Sequence, residues 1–303
     1  MSTSVNEADE VMSTVPGPAA TFKPRNTRPL PNEPEIRIRP ASFWERIDFA
    51  ELWAHREVLY FLMWRDLKVR YKQTVLGATW VILQPILMTI VFAVFLGRLI
   101  KVPSDGVPYP IFAYSGLLLW IFVSNAVLSS CYSLVINAHI ITRIYFSRVL
   151  IPTAAVGVRL IDLLIAAAVL MLLMLYYRVP ITLSLLLFPL FVIQAAVLAL
   201  AIGILGAALN VRYRDVGTLT PILLQVWMFV SPLVYSSSIV PEQSRWLYSL
   251  NPLVGLIDGF RASLFNLPLP WASIIASVLV TWPLLILSIH VFRKLEVSFA
   301  DDV

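Results

Sequence analysis

Six stretches of predominantly apolar residues follow one another along this chain of 303 residues. An α-helix needs about 20 such residues to cross the hydrocarbon core of a lipid bilayer. The stretches of roughly this length cover residues 76–99, 111–135, 154–177, 183–209, 218–236 and 271–292. We therefore expect an all-α, polytopic membrane protein whose transmembrane domain of six helices occupies residues 76–292.

The composition agrees with a lipid environment. Hydrophobic residues make up 59% of the chain and charged residues 14%, against about 45–50% and about 25% in soluble domains. The mean hydropathy is +0.80. These values exclude a soluble enzyme and a disordered chain. Cys131 is the only cysteine, which excludes an intrachain disulfide and a CxxC redox pair, and we interpret it as a packing residue.

The charges are concentrated at one end of the sequence. Residues 1–76 hold 11 of the 23 Lys and Arg. With the N-terminus inside the cell, the segments that flank or connect the spans carry ten basic residues on the cytoplasmic side and five on the outer side. This bias predicts that both termini are cytoplasmic. No basic face on a soluble unit is present, so the net charge of +5 does not indicate nucleic-acid binding.

Two segments precede the first span. Residues 1–41 are rich in proline and poor in large apolar side chains, and this composition predicts a disordered cytoplasmic tail rather than a signal peptide. Residues 42–75 are amphipathic and predict a helix in the plane of the membrane interface, or else a soluble core helix with a solvated face. At the other end, residues 293–303 form a predicted cytoplasmic tail.

The amphipathic pattern is clearest in the second half of the 42–75 segment. Tyr60, Met63, Trp64, Leu67 and Tyr71 recur at helical spacing and fall on one stripe. We expect basic residues to lie on the opposite side, near anionic headgroups. Those basic residues are Arg65, Lys68 and Lys72, with Arg70 close by.

The loop between the fifth and sixth stretches, residues 237–270, is too long for a hairpin and too apolar for a plain solvated loop. Pro241 and Pro252 can each begin a helix. Gly255 and Gly259 form a GxxxG pattern, which permits close approach of two backbones. We expect two short re-entrant or interfacial outer helices here. The alternative is an ordered surface loop.

The motifs of several enzyme classes are missing from the sequence. It contains no G-x-x-x-x-G-K-[S/T] phosphate-binding loop and no HExxH pair. We therefore predict no catalytic residue, no metal site and no cofactor on this chain. Arg159 and Asp162, three residues apart in the third stretch, are interpreted as a structural ion pair, with a proton relay as the alternative.

Aromatic side chains are the remaining candidates for contact with a transported substrate, because their faces can stack on sugar rings. Taken singly, each of these side chains fits a lipid-facing position, or the aromatic belt at the membrane interface, equally well. The candidates for the substrate path are Trp80, Phe92, Trp120, Tyr132, Trp227, Phe229 and Tyr235.

The string from Trp64 to Gly77, WRDLKVRYKQTVLG, followed by Trp80 and Leu83-Gln84-Pro85, resembles the permease subunit of ABC-2 type exporters of polysaccharides. Those families move O-antigen, capsule or teichoic acid. Similar stretches occur at 137–152, 210–216, 231–235 and 251–261, so the resemblance covers about residues 43–292. The tail over residues 1–40 is longer than the family usually carries.

The resemblance implies a homodimer in the cytoplasmic (inner) membrane of a bacterium, together with two copies of a separate ATP-binding subunit that holds ATP and Mg²⁺. It implies a coupling helix in the 137–152 loop and a lipid-linked polysaccharide as substrate. The residues that would contact the ATPase are Arg143, Ile144, Tyr145, Phe146 and Arg148, with Arg212, Arg214 and Asp215 in the loop after the fourth span.

Three alternatives remain open at this point. The first is an ABC-2 type exporter of a drug or other small molecule. The second is a polytopic membrane enzyme acting on a lipid-linked substrate, for which Asp66 and Asp215 are the available carboxylates. The third is a proton-coupled carrier that depends on Asp162. The sequence does not specify the glycan.

Overall fold

The computed structural model describes residues 55–72, 79–141, 146–296 and 299, with only the backbone given for residue 141. The predicted tail over 1–41 and the first part of the amphipathic segment therefore lie outside the described residues. Every regular element in the described part of the chain is helical. The prediction of an all-α polytopic protein is confirmed.

Ten α-helices, numbered here in chain order, make up the described fold. Helix α2 continues as a π-helix over Ala93–Ile100, and a 3₁₀ turn over Leu183–Leu187 leads into α6. The helices are α1 Arg56–Lys72, α2 Thr79–Phe92, α3 Tyr109–Ile136, α4 Ala138–Ile141, α5 Leu150–Tyr176, α6 Phe188–Arg212, α7 Asp215–Val230, α8 Glu242–Ser249, α9 Pro252–Phe265 and α10 Trp271–Glu296.

Five helical segments among the described residues are long and apolar enough to cross a membrane. They coincide with the first four predicted spans and the last one. Their bounds are Thr79–Ile100, Tyr109–Ile136, Leu150–Tyr176, Leu183–Arg212 and Trp271–Glu296. Pro85 and Pro283 lie inside helices.

The fifth predicted span, 218–236, differs from the structure. Helix α7 has 16 residues and ends at Val230, so it is about 24 Å long, against about 30 Å for the hydrocarbon core. Ser231 is extended, with φ −109° and ψ 149°. The residue before a proline is disfavoured in the α region, and Pro232 therefore ends the helix where the apolar stretch continues.

Helix α3 is the centre of the bundle. It packs against α5, α6, α2 and α7, and 78% of its most apolar window is buried, compared with 11% for α2 and 17% for α10. Its buried aromatic and aliphatic side chains form the main core with residues of α5, α6 and α9, including Tyr114, Leu119, Leu170, Leu198 and Phe260. The apolar outer surfaces of α2 and α10 suit contact with lipid.

The two short helices predicted between the fifth and sixth stretches are present as α8 and α9. Asn251 caps α9, since its side chain accepts a hydrogen bond from the backbone N–H of Leu253 at 3.1 Å. The GxxxG prediction is confirmed at Gly255. A Cβ atom there would meet the backbone oxygen of Ser273 at 1.9 Å, so only glycine lets α9 and α10 approach this closely.

Candidate functional site

Helix α1 presents an aromatic and basic face. Tyr60 and Phe61 are 67% and 65% exposed, and Trp64 is 45% exposed. The rings of Tyr60 and Trp64 stack with centroids 6.4 Å apart, and the Lys68 Nζ lies 5.2 Å from the Trp64 ring. Lys72 is exposed on the same face. An exposed face of this kind suits the headgroup layer of a membrane.

The predicted division of α1 into an aromatic stripe and an opposite basic side is wrong in two respects. Lys68 lies beside Trp64 rather than across the helix from it. Arg65 is turned inward, where it donates to Asp66 and to the Asn137 Oδ1, each at 2.6 Å. The inward face is set by the packing of Leu62 and by polar partners in the neighbouring helices, which a helical wheel does not contain.

An ion-pair network connects α1 to α5. The Arg70 guanidinium lies 2.7 Å from the Asp162 carboxylate, and the Tyr71 hydroxyl donates to the same carboxylate at 2.6 Å. Arg159 lies 3.6 Å from Asp162 and donates to the Ser129 hydroxyl of α3 at 2.9 and 2.7 Å. Arg159 and Asp162 therefore do pair along one helix face, and the pair is part of a larger network.

Tyr71 is held protonated in this network. Burial, followed by the hydrogen bond to Asp162, raises the pKa of Tyr71 to about 12. A phenol with this pKa is a neutral hydrogen-bond donor at physiological pH. Tyr71 thus fixes the last turn of α1 against α5 without adding charge.

A cavity of about 240 Å³ opens beside the network. It lies between α2, α3 and α5, with Arg70 of α1 at its edge. One predicted aromatic, Trp80, contributes to its wall. The side chains that give the cavity its polar character are Arg70, Gln84, Asn125, Arg159 and Asp162.

The other aromatic candidates do not line a common path within one chain. Trp120 and Trp227 meet edge to face, with centroids 6.0 Å apart. The Trp227 Nε1 donates to the Asn251 Oδ1 at 2.9 Å, which ties α7 to the start of α9. Tyr132 donates to the Gly217 carbonyl at 2.7 Å and holds the start of α7.

Three further candidates lie nearer the surface. Phe229 is 68% exposed on α7, and Phe92 is half-buried on α2. The Tyr235 hydroxyl accepts from Tyr248 at 3.0 Å and donates to the Phe229 carbonyl at 3.3 Å. Tyr235 therefore joins the loop after α7 to α8.

The predicted coupling loop is described only at its end. Arg143, Ile144 and Tyr145 lie outside the described residues. Phe146 is 8% exposed and packs with Leu150, Ile204 and Phe292. Arg148 donates through its Nη1 to the Glu296 carbonyl at 2.5 Å. Phe146 and Arg148 therefore anchor the described end of the loop to the bundle.

The turn between α6 and α7 presents charge at the surface. Arg212, Tyr213, Arg214 and Asp215 are all exposed, and the Arg212 guanidinium lies 5.6 Å from the Tyr213 ring. Buried Asn210 holds the turn in place. It accepts from the Gly217 N–H at 2.8 Å and donates to the Cys131 carbonyl at 3.1 Å. The three predicted contact residues of this turn are thus displayed on a fixed support.

Arg261 lies in α9, at the opposite end of the bundle. It is 2% exposed. Its guanidinium donates to the carbonyls of Pro232 at 2.7 Å, Leu233 at 2.6 Å and Phe112 at 3.2 Å, and it stacks 3.6 Å from the Phe112 ring. The Ser231-Pro232 break was the available signal, because carbonyls freed by a helix end need donors.

The carboxylates proposed for a membrane enzyme do not form a site with one another. Asp66 is paired with Arg65, and Asp215 lies in the exposed turn. Among the described residues, no group of three or more His, Cys, Asp or Glu is placed to hold a metal ion.

Comparison with known proteins places these features in a family. The sequence model described as ABC-2 type transporter matches residues 57–265, which include α1, the ion-pair network, the α6–α7 turn and α9. The chain belongs to the ABC-2 type transporter family. The resemblance given by the Trp64–Gly77 string is confirmed.

The relatives of this ABC-2 type chain include export permeases and a polysialic acid transport protein. The chain is 28% identical over 257 residues to the O-antigen export system permease protein RfbA of Myxococcus xanthus, covering 84% of this chain and 98% of that protein. It is 27% identical over 246 residues to a protein of the same description from Klebsiella pneumoniae, covering 81% and 94%. It is also 25% identical over 206 residues to the polysialic acid transport protein KpsM of Escherichia coli, covering 65% and 77%.

Proposed function

We propose that this chain is the membrane-spanning subunit of an ABC transporter that exports a lipid-linked polysaccharide across the cytoplasmic membrane. The observation that carries the proposal is the alignment over 98% of an O-antigen export permease. An alignment of that extent includes the elements that differ most from generic spans, namely α1 and the α8–α9 segment. Both termini would be cytoplasmic, in keeping with the excess of basic residues in the segments on that side.

The energy for export would come from a separate ATP-binding subunit. The 303 residues contain no phosphate-binding loop of the P-loop type, so ATP and Mg²⁺ belong to the partner. The exposed Arg212–Asp215 turn supports this assignment, because it offers charged side chains on a fixed support at the end of the bundle where the 137–152 loop also lies. Arg143, Ile144 and Tyr145 of that loop would complete the contact.

Two copies of the chain would form the transport path. Helix α7 is shorter than the hydrocarbon core and buries only Gly217 and Leu224 within its own chain. Its exposed apolar side chains include Ile222, Val226 and Phe229. A second copy would cover this surface and bring exposed aromatic side chains such as Phe229 of two chains together. We assign the path to the dimer because one chain does not gather them.

In this mechanism, ATP binding closes two ATPase subunits and displaces the coupling segments at the α6–α7 turn and the 137–152 loop. The helices that form the path shift, and the glycan moves outward past aromatic rings. The exposed aromatic and basic face of α1 would hold that helix at the inner headgroup layer, where a lipid-linked substrate can reach the bundle from the side.

Removal of the chain from its host tests this function. We expect loss of the surface polysaccharide and accumulation of the lipid-linked glycan inside, with both effects reversed by the wild-type chain. The rival ABC-2 type drug exporter predicts unchanged surface glycan and increased drug sensitivity. That second result would overturn the proposal.

A further inference from the structure

The cavity beside the ion-pair network combines a charged end with apolar walls. Its volume of about 240 Å³ is many times the ~10–15 Å³ that one water molecule needs by the same measure, so the cavity has room for a phosphate or diphosphate group. Leu118, Ile121 and Phe122 form part of the apolar wall.

The charged end carries an excess of positive charge. Arg70 and Arg159 share a single carboxylate, Asp162, at 2.7 and 3.6 Å. Two arginines less one aspartate give the lining of the cavity a net charge of +1. Positive charge among membrane helices is costly unless it is paired, so an anion in the cavity would be favoured. Guanidinium groups are also the donors that match phosphate oxygens best.

Two amide side chains add donors to the same space. Gln84 of α2 and Asn125 of α3 line the cavity. Gln84 is exposed and Asn125 is half-buried. Each amide supplies two N–H donors. Arginines and amides that line one cavity form a cradle for an anionic headgroup.

We propose that this cavity binds the phosphate headgroup of a lipid, and that the lipid is the diphosphate carrier of the exported glycan. The identification of this lipid as the carrier of the glycan rests on the proposed function. Trp80, 50% exposed at the cavity wall, would contact the first carbons of the lipid chain. A bilayer phospholipid shares the phosphate chemistry and is the other possible source.

Equilibrium binding of radiolabelled farnesyl diphosphate to the full chain in neutral detergent tests the site. Farnesol, which lacks the phosphates, is the matched ligand control. We expect farnesyl diphosphate to bind about tenfold or more tightly than farnesol, since hydrogen bonds to charged groups carry most of the affinity. Competition by phosphatidylglycerol micelles at equal potency would assign the site to a bilayer phospholipid, and weak competition would assign it to the carrier.

Variants locate the binding. Arg159→Gln is expected to weaken farnesyl diphosphate binding about tenfold. Asn125→Leu and Gln84→Leu are expected to weaken it severalfold, and they leave the ion-pair network intact if Arg159→Gln does not fold. Arg98→Gln is the matched control, because Arg98 is an exposed arginine on the π-helical continuation of α2 and is not among the residues that line the cavity.

Two results would overturn the site. One is equal binding of farnesyl diphosphate and farnesol. The other is wild-type affinity in both Asn125→Leu and Gln84→Leu. The binding assay needs no ATPase and no glycan, so its failure is separate from failure of the proposed function. If a variant lost farnesyl diphosphate binding and still restored the surface glycan, the assignment of this cavity to the glycan carrier would be rejected. The proposed function would be unaffected.

Discussion

A single guanidinium joins the break after α7 to the rest of the bundle. Arg261 supplies donors to three backbone carbonyls, two of which belong to the residues that follow the end of α7. Gly116 makes room for it, since a Cβ there would lie 2.6 Å from the Arg261 Nη2. A buried cation of this kind is stable because its hydrogen-bond partners are acceptors and it stacks on the Phe112 ring.

Replacement of Arg261 by Met is expected to destabilise the chain by about 3 kcal/mol or more, because several buried carbonyls lose their donor at once. Thermal unfolding of the purified chain in detergent measures the change. Arg245→Met is the control at the same end of the bundle. Arg245 is exposed, and its loss is expected to cost less than about 0.5 kcal/mol. Equal effects of the two substitutions would contradict the role given to Arg261.

The raised pKa of Tyr71 predicts that the stability of the folded chain depends on pH. Its pKa is raised from 10.0 to about 12, first by burial and then by the hydrogen bond to Asp162. The folded chain holds the phenol proton more tightly, so the stabilisation is complete below pH 10 and is lost as the pH rises through 12. In Tyr71→Phe the unfolding temperature should fall less between these pH values than in the wild type. Tyr213→Phe, which removes an exposed phenol, should behave as wild type, and an unchanged slope in Tyr71→Phe would count against the hydrogen bond.

Among the elements, the contact of α9 with α10 depends on the absence of a side chain at Gly255. Gly255→Ala places a Cβ 1.9 Å from the Ser273 carbonyl oxygen, and the two helices must separate. We expect a loss of about 1–3 kcal/mol in stability. Gly206→Ala is the matched control, because its Cβ would meet Cys131 at an ordinary 3.4 Å. Both can be measured by thermal unfolding, and equal stability of the two variants would show that the helices are not in close contact.

The α6–α7 turn is the element through which we expect the ATPase to act. The double substitution Arg212→Glu and Arg214→Glu reverses its charge and should reduce co-purification of the ATP-binding subunit by about a hundredfold or more, since like charges placed together at an interface cost several kcal/mol. Arg178→Glu, at the other end of the bundle, is the control. Arg148→Glu is a poorer test than the sequence suggested, because Arg148 is bonded to Glu296 and its reversal would disturb the chain itself.

These elements also show how far the sequence could lead. Helix positions followed from apolar length, and the α8–α9 segment followed from Pro241, Pro252 and the GxxxG spacing. The end of α7 was misplaced, since the apolar stretch runs past Ser231 and the conformational restriction before Pro232 outweighs its hydrophobicity. The inward turn of Arg65 depends on Asn137, 72 residues away, and periodicity within one helix does not contain that information.

In the candidate site, too, local sequence predicted some features and tertiary packing determined the others. Arg159 and Asp162 were paired correctly because their spacing is local. Their connection to Arg70 and Tyr71 required the packing of α1 on α5. Phe146 was expected at a docking surface and is buried, because its aromatic character serves the contact between the loop and the bundle. Residue types indicated the chemistry, and tertiary packing decided which residues are available for it.

At the scale of the whole molecule, the described surface leaves α7 uncovered on its apolar side, and two copies would cover it. The variant Phe229→Cys in a Cys131→Ser background is expected to give a covalent dimer with a short bis-maleimide cross-linker in membranes. Leu172→Cys, an equally exposed position on α5 at 64% exposure, should remain monomeric. Cross-linking at Leu172 with none at Phe229 would place the dimer surface elsewhere.

Reconstitution gives the most direct test of the claim that this chain carries a lipid-linked polysaccharide across the membrane with energy from a separate subunit. The chain and its ATPase partner are placed in proteoliposomes with the lipid-linked glycan, and the glycan on the opposite leaflet is measured with a membrane-impermeant lectin. We predict transfer that requires ATP and both proteins. Transfer or ATP hydrolysis by this chain alone, or ATP-driven activity that leaves the glycan in place, would contradict the account.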